Sequence, residues 1–305
     1  MGHAVHGLAD WSTVGTGHYS VWPRNSEKEA FLNVIQIGDL AVNRLGFGAM
    51  RVIDNGAIWG EPSDRGHALK VLRRVAELGV NFIDTAESYG PHTDETLIAE
   101  ALHPYPKGLV VATKCGLSRP KPSRWDDDCR PEKLRKDLEG SLKRLKLERI
   151  DLYQLHTVDR KVPLEVSVGT LADMQREGKI RHVGLSNVTV KQLEVARKIA
   201  PIVSVQNRYS LADRGSEDVL RHCQQHGIAF LPWYPLGDGS ALRLSKVKKL
   251  AEKLKASPAQ VAIAWLLRNS PVMLPIPGTG NLAHLEENVA AAKLQLSKDD
   301  FAALG

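Results

Sequence analysis

Four ionisable side chains stand at or just beyond the ends of short apolar runs. Asp84 ends the run Val80–Ile83 within NFIDTAESYG, and Tyr89 follows in the next loop. Lys114 ends LVVATK, and His156 ends DLYQLH. Each alone has an ordinary reading: a turn-forming aspartate, a surface lysine, a structural histidine, a packed tyrosine. Together they describe one chemistry. A phenol, with a pKa of about 10, is a poor acid at neutral pH. A neighbouring ammonium favours the phenolate and lowers that value, and a carboxylate keeps the ammonium charged and in place. A phenol so tuned can donate its proton to a carbonyl oxygen as negative charge grows there, while an imidazole on the same side orients that oxygen. The set implies carbonyl reduction, and the hydride must come from a cofactor because no side chain supplies one. Lys114 by itself leaves a second chemistry open, that of a Schiff-base lysine in a barrel aldolase.

Bringing these residues together requires a scaffold that presents successive strand ends on one face. Eight short apolar segments recur along the chain: Leu45–Ala49, Val80–Asp84, Leu109–Lys114, Asp151–His156, Ile180–Ser186, Val203–Gln206, Ile228–Trp233 and Val272–Ile276. Helical periods separate them. DRGHALKVLRRVAELG starts at an Asp cap and ends at Gly79, PEKLRKDLEGSLKRLKL opens with Pro131, and PLEVSVGTLADMQREG ends at Gly178. TVKQLEVARKIA, SPAQVAIAWLLRN with Ser257 as cap, and NLAHLEENVAAA complete the set. Alternation of this kind predicts a parallel α/β fold, and the eight repeats favour a closed (β/α)8 TIM barrel over an open doubly wound sheet. No glycine-rich turn follows a first strand. The GTG at Gly15–Gly17 has no strand before it and is no dinucleotide fingerprint. Before the first barrel strand, NVIQIGDLAVNRLGFGAM alternates apolar and polar residues around Gly38-Asp39, a hairpin signal. In such a barrel chemistry sits at the C-terminal strand ends. More polar residues stand there: Ser186 and Asn187 on the fifth strand, Gln206 on the sixth, Trp233 and Tyr234 on the seventh.

The totals exclude other classes. At 305 residues the chain has room for two domains, but barrels reach this size as one. The net charge of +6 is spread without a dense Lys/Arg run, which reads as a solvated basic surface and not a nucleic-acid site. Cys115, Cys129 and Cys223 lie far apart with no metal-type spacing, which predicts reduced thiols, no metal and a cytoplasmic location. No apolar run is long enough for a membrane span. MGHAVHGLADWSTVGTGHYS lacks the charged start and apolar centre of a secretory signal, and residues 1–33 are expected to be a loosely ordered extension to a barrel over 34–305.

From about Val34 to Leu304 the sequence resembles the aldo-keto reductases. GVNFIDTAESYG, VATKCG, DLYQLHTVD, GKIRHVGLSN and IPGTGNLAHLEENV are similar to the family's motifs and fall in its order. VNRLGFGAMR, SYGPH, LPWYPLG and IPGT look closest to its bacterial pyridoxal-reductase-like branch. The resemblance implies a (β/α)8 barrel with an N-terminal hairpin closing its bottom. It implies a catalytic set of Asp84, Tyr89, Lys114 and His156, with Tyr89 as general acid in reduction and base in oxidation. Ser186, Asn187 and Gln206 would hold the nicotinamide carboxamide and Trp233 would stack on its face. Tyr234, Leu236 and Gly237 would line the pyrophosphate, and Gly278, Thr279, His284, Glu287 and Asn288 would surround the adenosine end. Trp233 as a plain core residue, and Leu285–Asn288 as a solvated helix face, are the alternative readings. Where many members carry Lys or Arg to grip a 2′-phosphate, this chain has Gly278 and His284. Thr279, Asn281 and the backbone N–H groups opening the last helix could still do so, and NADPH is expected over NADH.

Met50, Trp59 and Trp125 fall in loops after the first and third strands and are expected at the cofactor and substrate pocket, or else as ordinary loop anchors. Few residues follow Leu296, so no long tail is expected to close that pocket, and a broad substrate range follows. The expected substrate is an aromatic aldehyde such as pyridoxal, or a ring ketone of a xenobiotic or natural product. The expected assembly is a monomer or weak homo-oligomer. A cofactor-binding regulatory subunit with little turnover is the remaining alternative.

Overall fold

The computed structural model describes residues 34–305, so the expected extension over 1–33 lies outside the described residues. Strands β1 (Val34–Ile37) and β2 (Leu40–Asn43) form the antiparallel hairpin, with Ile37 paired to Leu40 across a two-residue turn. Alternation buries Ile35, Ile37, Leu40 and Val42 on one face. Gly38 takes a φ of 63° there, and a Cβ on it would lie 2.4 Å from the His182 ring, so both backbone and space call for glycine.

The next strands and helices alternate. β3 (Phe47–Gly48), helix α1 (Arg65–Glu77), β4 (Phe82–Asp84), α2 (Thr93–Leu102) and β5 (Val110–Cys115) come first. A long loop carrying the small antiparallel pair β6 (Leu117–Ser118) and β7 (Asp126–Asp127) leads to α3 (Pro131–Leu145). Then follow β8 (Ile150–Leu155), α4 (Leu164–Arg176), β9 (Ile180–Ser186), α5 (Val190–Arg197), β10 (Ile202–Arg208), α6 (Glu217–Gln225) and β11 (Ala229–Trp233). Helices α7 (Ser240–Arg243), α8 (Ser245–Leu254), α9 (Pro258–Asn269), α10 (Leu282–Ala290) and α11 (Lys298–Leu304) complete the chain. Seven strands lie parallel in the order β11-β10-β9-β8-β5-β4-β3.

The expected eighth strand, Val272–Ile276, forms no regular ladder. It closes the sheet with single bonds: Phe230 N–H donates to Val272 O at 2.8 Å, Leu274 N–H to Phe230 O at 2.9 Å, and Gly46 N–H to Pro275 O at 2.9 Å. Pro275 and Pro277 have no N–H to return, so the ladder cannot propagate on that side. The barrel of the sequence reading is therefore present with one irregular stave.

All six expected helices form, as α1, α3, α4, α5, α9 and α10, and the Asp64, Ser257 and Asn281 side chains cap theirs. Helix α2 escaped the period because it buries acids: Asp94 accepts from Thr85 Oγ1 at 2.6 Å, and Glu95 from Thr113 Oγ1 at 2.6 Å and Arg144 Nε at 2.7 Å. Helix α6 buries three side chains, Val219, Leu220 and Cys223, too few to mark a stripe in sequence.

The hairpin's apolar face packs with Phe82, Val110, Leu152, Leu231, Leu274 and Ile276, which fill the barrel interior from below. This is the expected bottom closure. Phe82 is fully buried between hairpin and barrel. Phe82→Ala is expected to cost about 3–5 kcal/mol of stability by leaving a cavity there. Denaturant midpoints measure this, and a loss under about 1 kcal/mol would contradict the packing described.

Candidate active site

Strand register sets the site in layers. Asp84 pairs with Ala112, Lys114 with Gln154, Gln154 with Gly184, Ser186 with Gln206, and Gln206 with Leu231. Side chains alternate faces with period two, so Phe82 and Asp84, Ala112 and Lys114, Leu152 and Gln154, and Ala229, Leu231 and Trp233 lie on inward-facing rows. The lower members of each row are apolar filling and the upper ones carry polar atoms. Chain alternation alone therefore raises carboxylate, ammonium and amide groups to the mouth.

There they bond to one another. Lys114 Nζ donates to Asp84 Oδ1 at 2.6 Å and to Thr85 O at 2.9 Å, and lies 3.3 Å from the Tyr89 hydroxyl. Gln206 Nε2 donates to the other Asp84 oxygen at 2.9 Å. Ser186 Oγ donates to Gln206 O, and Asn187 Nδ2 donates to His156 O. Trp233 Nε1 donates to Asn187 Oδ1 at 2.9 Å. The His156 ring meets the Tyr89 ring edge-on at 5.8 Å, and Trp125 meets Tyr89 from elsewhere at 6.3 Å.

Burial decides the charges. Withdrawal from water pulls the Lys114 ammonium down, but Asp84 and the Tyr89 oxygen outweigh it, and its pKa rises. For Tyr89 burial raises the phenol and Lys114 pulls it down, as expected from sequence. Here burial wins, and the phenol is pushed up to about 12. The expected net lowering is thus reversed: Tyr89 stays a neutral, loaded proton donor. His156 is driven well below the usual imidazole range by burial and by the Lys114 charge, so its ring is neutral.

Above these groups opens a cleft of about 470 Å³. Asp84, Tyr89, His156, Ser186, Asn187 and Gln206 line its depth, and Met50, Trp125, Trp233, Tyr234, Leu236 and Gly278 its walls. Trp233 is half-buried, with the Arg208 guanidinium 5.6 Å over its ring, so it is not a core residue. Lys114 lies just behind the surface, fully buried. Trp59 is outside the cleft lining. It pairs with Gly90 and faces Arg119, whose guanidinium sits 3.6 Å over Trp125 and 5.4 Å from Trp59. Arg119 also donates to Ser88 O and Ala57 O, so Trp59 braces the Tyr89 loop rather than the pocket.

Gly237, Thr279, His284, Glu287 and Asn288 are likewise outside the lining. Glu287 accepts from Ser257 Oγ, Asn288 is buried, and His284 is exposed with its N–H on the Asn281 cap. Sequence reasoning missed Thr157, Leu117, Arg51 and Asp238, which also line the cleft. Thr157 follows His156 directly, so reading one residue past each strand end would have found it. Arg51 and Asp238 form an ion pair at 2.9 Å between the loops after β3 and β11, which no local signal reveals.

The profile of the aldo/keto reductase family matches residues 44–305. The chain belongs to the aldo/keto reductase family. It is 50% identical over 271 residues to an uncharacterized oxidoreductase of Schizosaccharomyces pombe, covering 88% of each chain. To pyridoxine 4-dehydrogenase of Escherichia coli it is 43% identical over 278 residues, 89% of this chain and 97% of the relative. Among solved structures it superposes on the glycerol dehydrogenase of Gluconobacter oxydans with a TM-score of 0.81 at 27% identity, covering 89% and 93% of the two chains. An aldo-keto reductase of Klebsiella pneumoniae in complex with NADPH gives a TM-score of 0.76 at 26% identity, covering 90% of this chain and 94% of that one.

As an aldo/keto reductase this is an NAD(P)H-dependent oxidoreductase, and the cleft's donor set fits its nicotinamide cofactor. Amide side chains of Asn187 and Gln206 suit a carboxamide, and the Trp233 indole suits a flat ring. Where Gly278 meets Gly48, a Cβ would lie 2.3 Å from Gly48 O, so the trough there is walled by bare backbone that an extended ligand can approach. The N-terminus of α10 follows, with amide N–H groups at its positive end.

The reductase's buried pair also bears on stability. Lys114→Met would leave the Asp84 carboxylate uncompensated and is expected to cost about 3–5 kcal/mol. Thermal and denaturant unfolding test this. Wild-type stability in the variant would show the pair to be absent in solution.

Proposed function

We propose that this aldo/keto reductase reduces an aldehyde or ketone to the alcohol, with NADPH as the preferred cofactor and Tyr89 as the proton donor. The observation that carries the reading is the chain Asp84–Lys114–Tyr89, a neutral phenol 3.3 Å from an ammonium that is itself pinned at 2.6 Å. When bound, the nicotinamide supplies the hydride to the carbonyl carbon. Tyr89 gives its proton to the oxygen as negative charge develops, and Lys114 stabilises the resulting phenolate. Asp84 keeps the ammonium charged and aimed. His156, neutral, hydrogen-bonds the same oxygen and orients it. Ser186, Asn187 and Gln206 would hold the carboxamide, and Trp233 would supply a flat face for the ring.

The raised pKa of Lys114 disfavours the Schiff-base aldolase, which needs a free amine, and the complete chain of proton-handling groups favours turnover over a mere cofactor-binding subunit. Trp125 and Met50 give the cleft an apolar, ring-accepting wall. With the 43% identity to a pyridoxine dehydrogenase, this supports pyridoxal or a similar aromatic aldehyde as substrate, and a ring ketone next. Thr279, Asn281 and the start of α10 would receive a 2′-phosphate in place of a cationic side chain. Among the described residues no helix is long and apolar enough to cross a membrane, and we place the enzyme in the cytoplasm as a monomer or weak homo-oligomer.

Oxidation of NADPH at 340 nm with a carbonyl panel tests the activity, and the same panel with NADH tests the cofactor. Binding of NADPH without turnover of any carbonyl would overturn the reading. Tyr89→Phe is expected to bind cofactor normally and lose turnover by about 10²- to 10⁴-fold. Unchanged turnover would remove Tyr89 from the mechanism. Gln206→Ala should chiefly weaken cofactor binding, and unaltered affinity would contradict its place. The pH dependence follows from the sign of the shift. A phenol raised to about 12 is protonated across the neutral range, so reduction should show no loss from this group between about pH 6 and 9. Alcohol oxidation, which needs the phenolate, should rise with pH over the same span. A reduction rate that falls with an apparent pKa near 7 would assign the acid elsewhere.

A further inference from the structure

Outside the cleft, two imidazoles and a carboxylate meet on the barrel's outer layer. His222 and His226 stand four residues apart at the C-terminal end of α6, which puts both on one face. Glu194 faces them from α5. One donor atom from each of the three lies within 4.8 Å of the others. His222 Nε2 is 2.7 Å from Glu194 Oε1, and the two imidazole rings lie 4.3 Å apart, tilted by 36°. His226 Nδ1 is 2.9 Å from His222 O. A carbonyl accepts only, so Nδ1 carries a proton, which leaves Nε2 as the nitrogen available to an ion. That is the orienting bond metal-ligating histidines commonly have: the far nitrogen is held by a backbone carbonyl and the near one is left free.

We propose that Glu194, His222 and His226 form a binding site for a divalent transition ion, zinc foremost. Two neutral imidazoles and one carboxylate are a borderline-soft donor set suited to zinc, copper or nickel, and poorly suited to calcium or magnesium. Three protein ligands leave a fourth position of a tetrahedral zinc to water. Ligation at about 2.0–2.2 Å opens the 2.7 Å contact between His222 Nε2 and Glu194 Oε1, with the ion taking the place of the shared proton, and the exposed His226 ring has the freedom to move. The competing group is Arg197, whose guanidinium shares Glu194 Oε1 with His222. A bound cation takes over that neutralisation. The site sits where α6 leads into the start of β11, at the opposite end of that strand from Trp233 and the cleft. It takes no part in carbonyl chemistry. The ion links α5 to α6, neighbours in the helical layer, and so stabilises that side of the barrel.

The test is a titration of the metal-stripped full chain with Zn²⁺ against a chromophoric chelator, followed by thermal unfolding with and without Zn²⁺. The wild type should bind one equivalent more than His226→Ala, and Glu194→Gln should weaken that equivalent on the order of tenfold or more. Zn²⁺ should raise the wild-type unfolding temperature more than that of His226→Ala. Arg197→Ala keeps all three ligands and removes their competitor, so it should bind more tightly than the wild type. Equal stoichiometry and affinity in the wild type and His226→Ala would overturn the site. So would a loss in Arg197→Ala as large as that in His226→Ala, because both would then report local unfolding and not coordination.

Discussion

A lysine ammonium shut away from water has to be neutralised where it lies, and much of the mouth of this barrel is arranged to do that. Asp84 accepts from Lys114 at 2.6 Å, Thr85 O accepts a second hydrogen bond, and the Tyr89 oxygen stands opposite the third N–H. Burying such a pair gains little stability by itself, and its attraction offsets the desolvation only when the remaining hydrogen bonds are satisfied. Gln206 supplies the missing one to Asp84. The pair is thus a constraint on four strands: β4, β5 and β10 must hold their registers, and β9 must hold Ser186 against Gln206 O.

The tyrosine is fixed from outside the sheet. Its loop is tied by Asp94 N–H to Tyr89 O, by His92 N–H to Glu87 O, and by Arg119 across Ser88 O and Ala57 O. The buried acids of α2 belong to the same support, since Asp94 also takes the Thr85 hydroxyl one residue past Asp84. Such a mount costs stability: Asp94 is raised to about 7, chiefly by burial. Because the folded state holds that proton more tightly than the unfolded chain, this group's effect on stability worsens as pH rises from about 4 through about 7. A phenol held rigidly in a low-dielectric pocket needs little reorganisation when charge moves. The fold thus places destabilising carboxyls where they keep the proton donor still.

Cleft shape follows from where regular structure stops. Prolines 275 and 277 interrupt the eighth stave, and Gly278 then passes close to Gly48 with no side chain between. Bare backbone and a helix start are left on that side, and the indole of Trp233 on another. One side of the trough is therefore mostly bare backbone with the Arg51 side chain beside it, and the other is a flat ring face.

The sequence alone determined much of this. Short apolar runs alternating with helical periods carry the parallel α/β order, period-two alternation around Gly38-Asp39 marks the hairpin, and cap residues mark helix starts. Asp84, Lys114, His156 and Gln206 end apolar runs, and a parallel barrel gathers such ends on one face. The place of the hairpin at the bottom came from the resemblance to the aldo-keto reductases. What the sequence did not contain were sums over residues remote in the chain. The direction of the Tyr89 shift depends on how much water is excluded as well as on the nearby ammonium. The place of Trp59 was decided by Arg119, sixty positions away in the chain. Helix α2 hid because Asp94 and Glu95 interrupt its buried side, beside Leu97, Ile98 and Leu102, and the eighth strand reads as regular because an apolar run does not report a missing N–H. Local pattern fixes which way a side chain points. Only the assembled barrel decides what it meets, how dry that place is, and therefore what charge it bears.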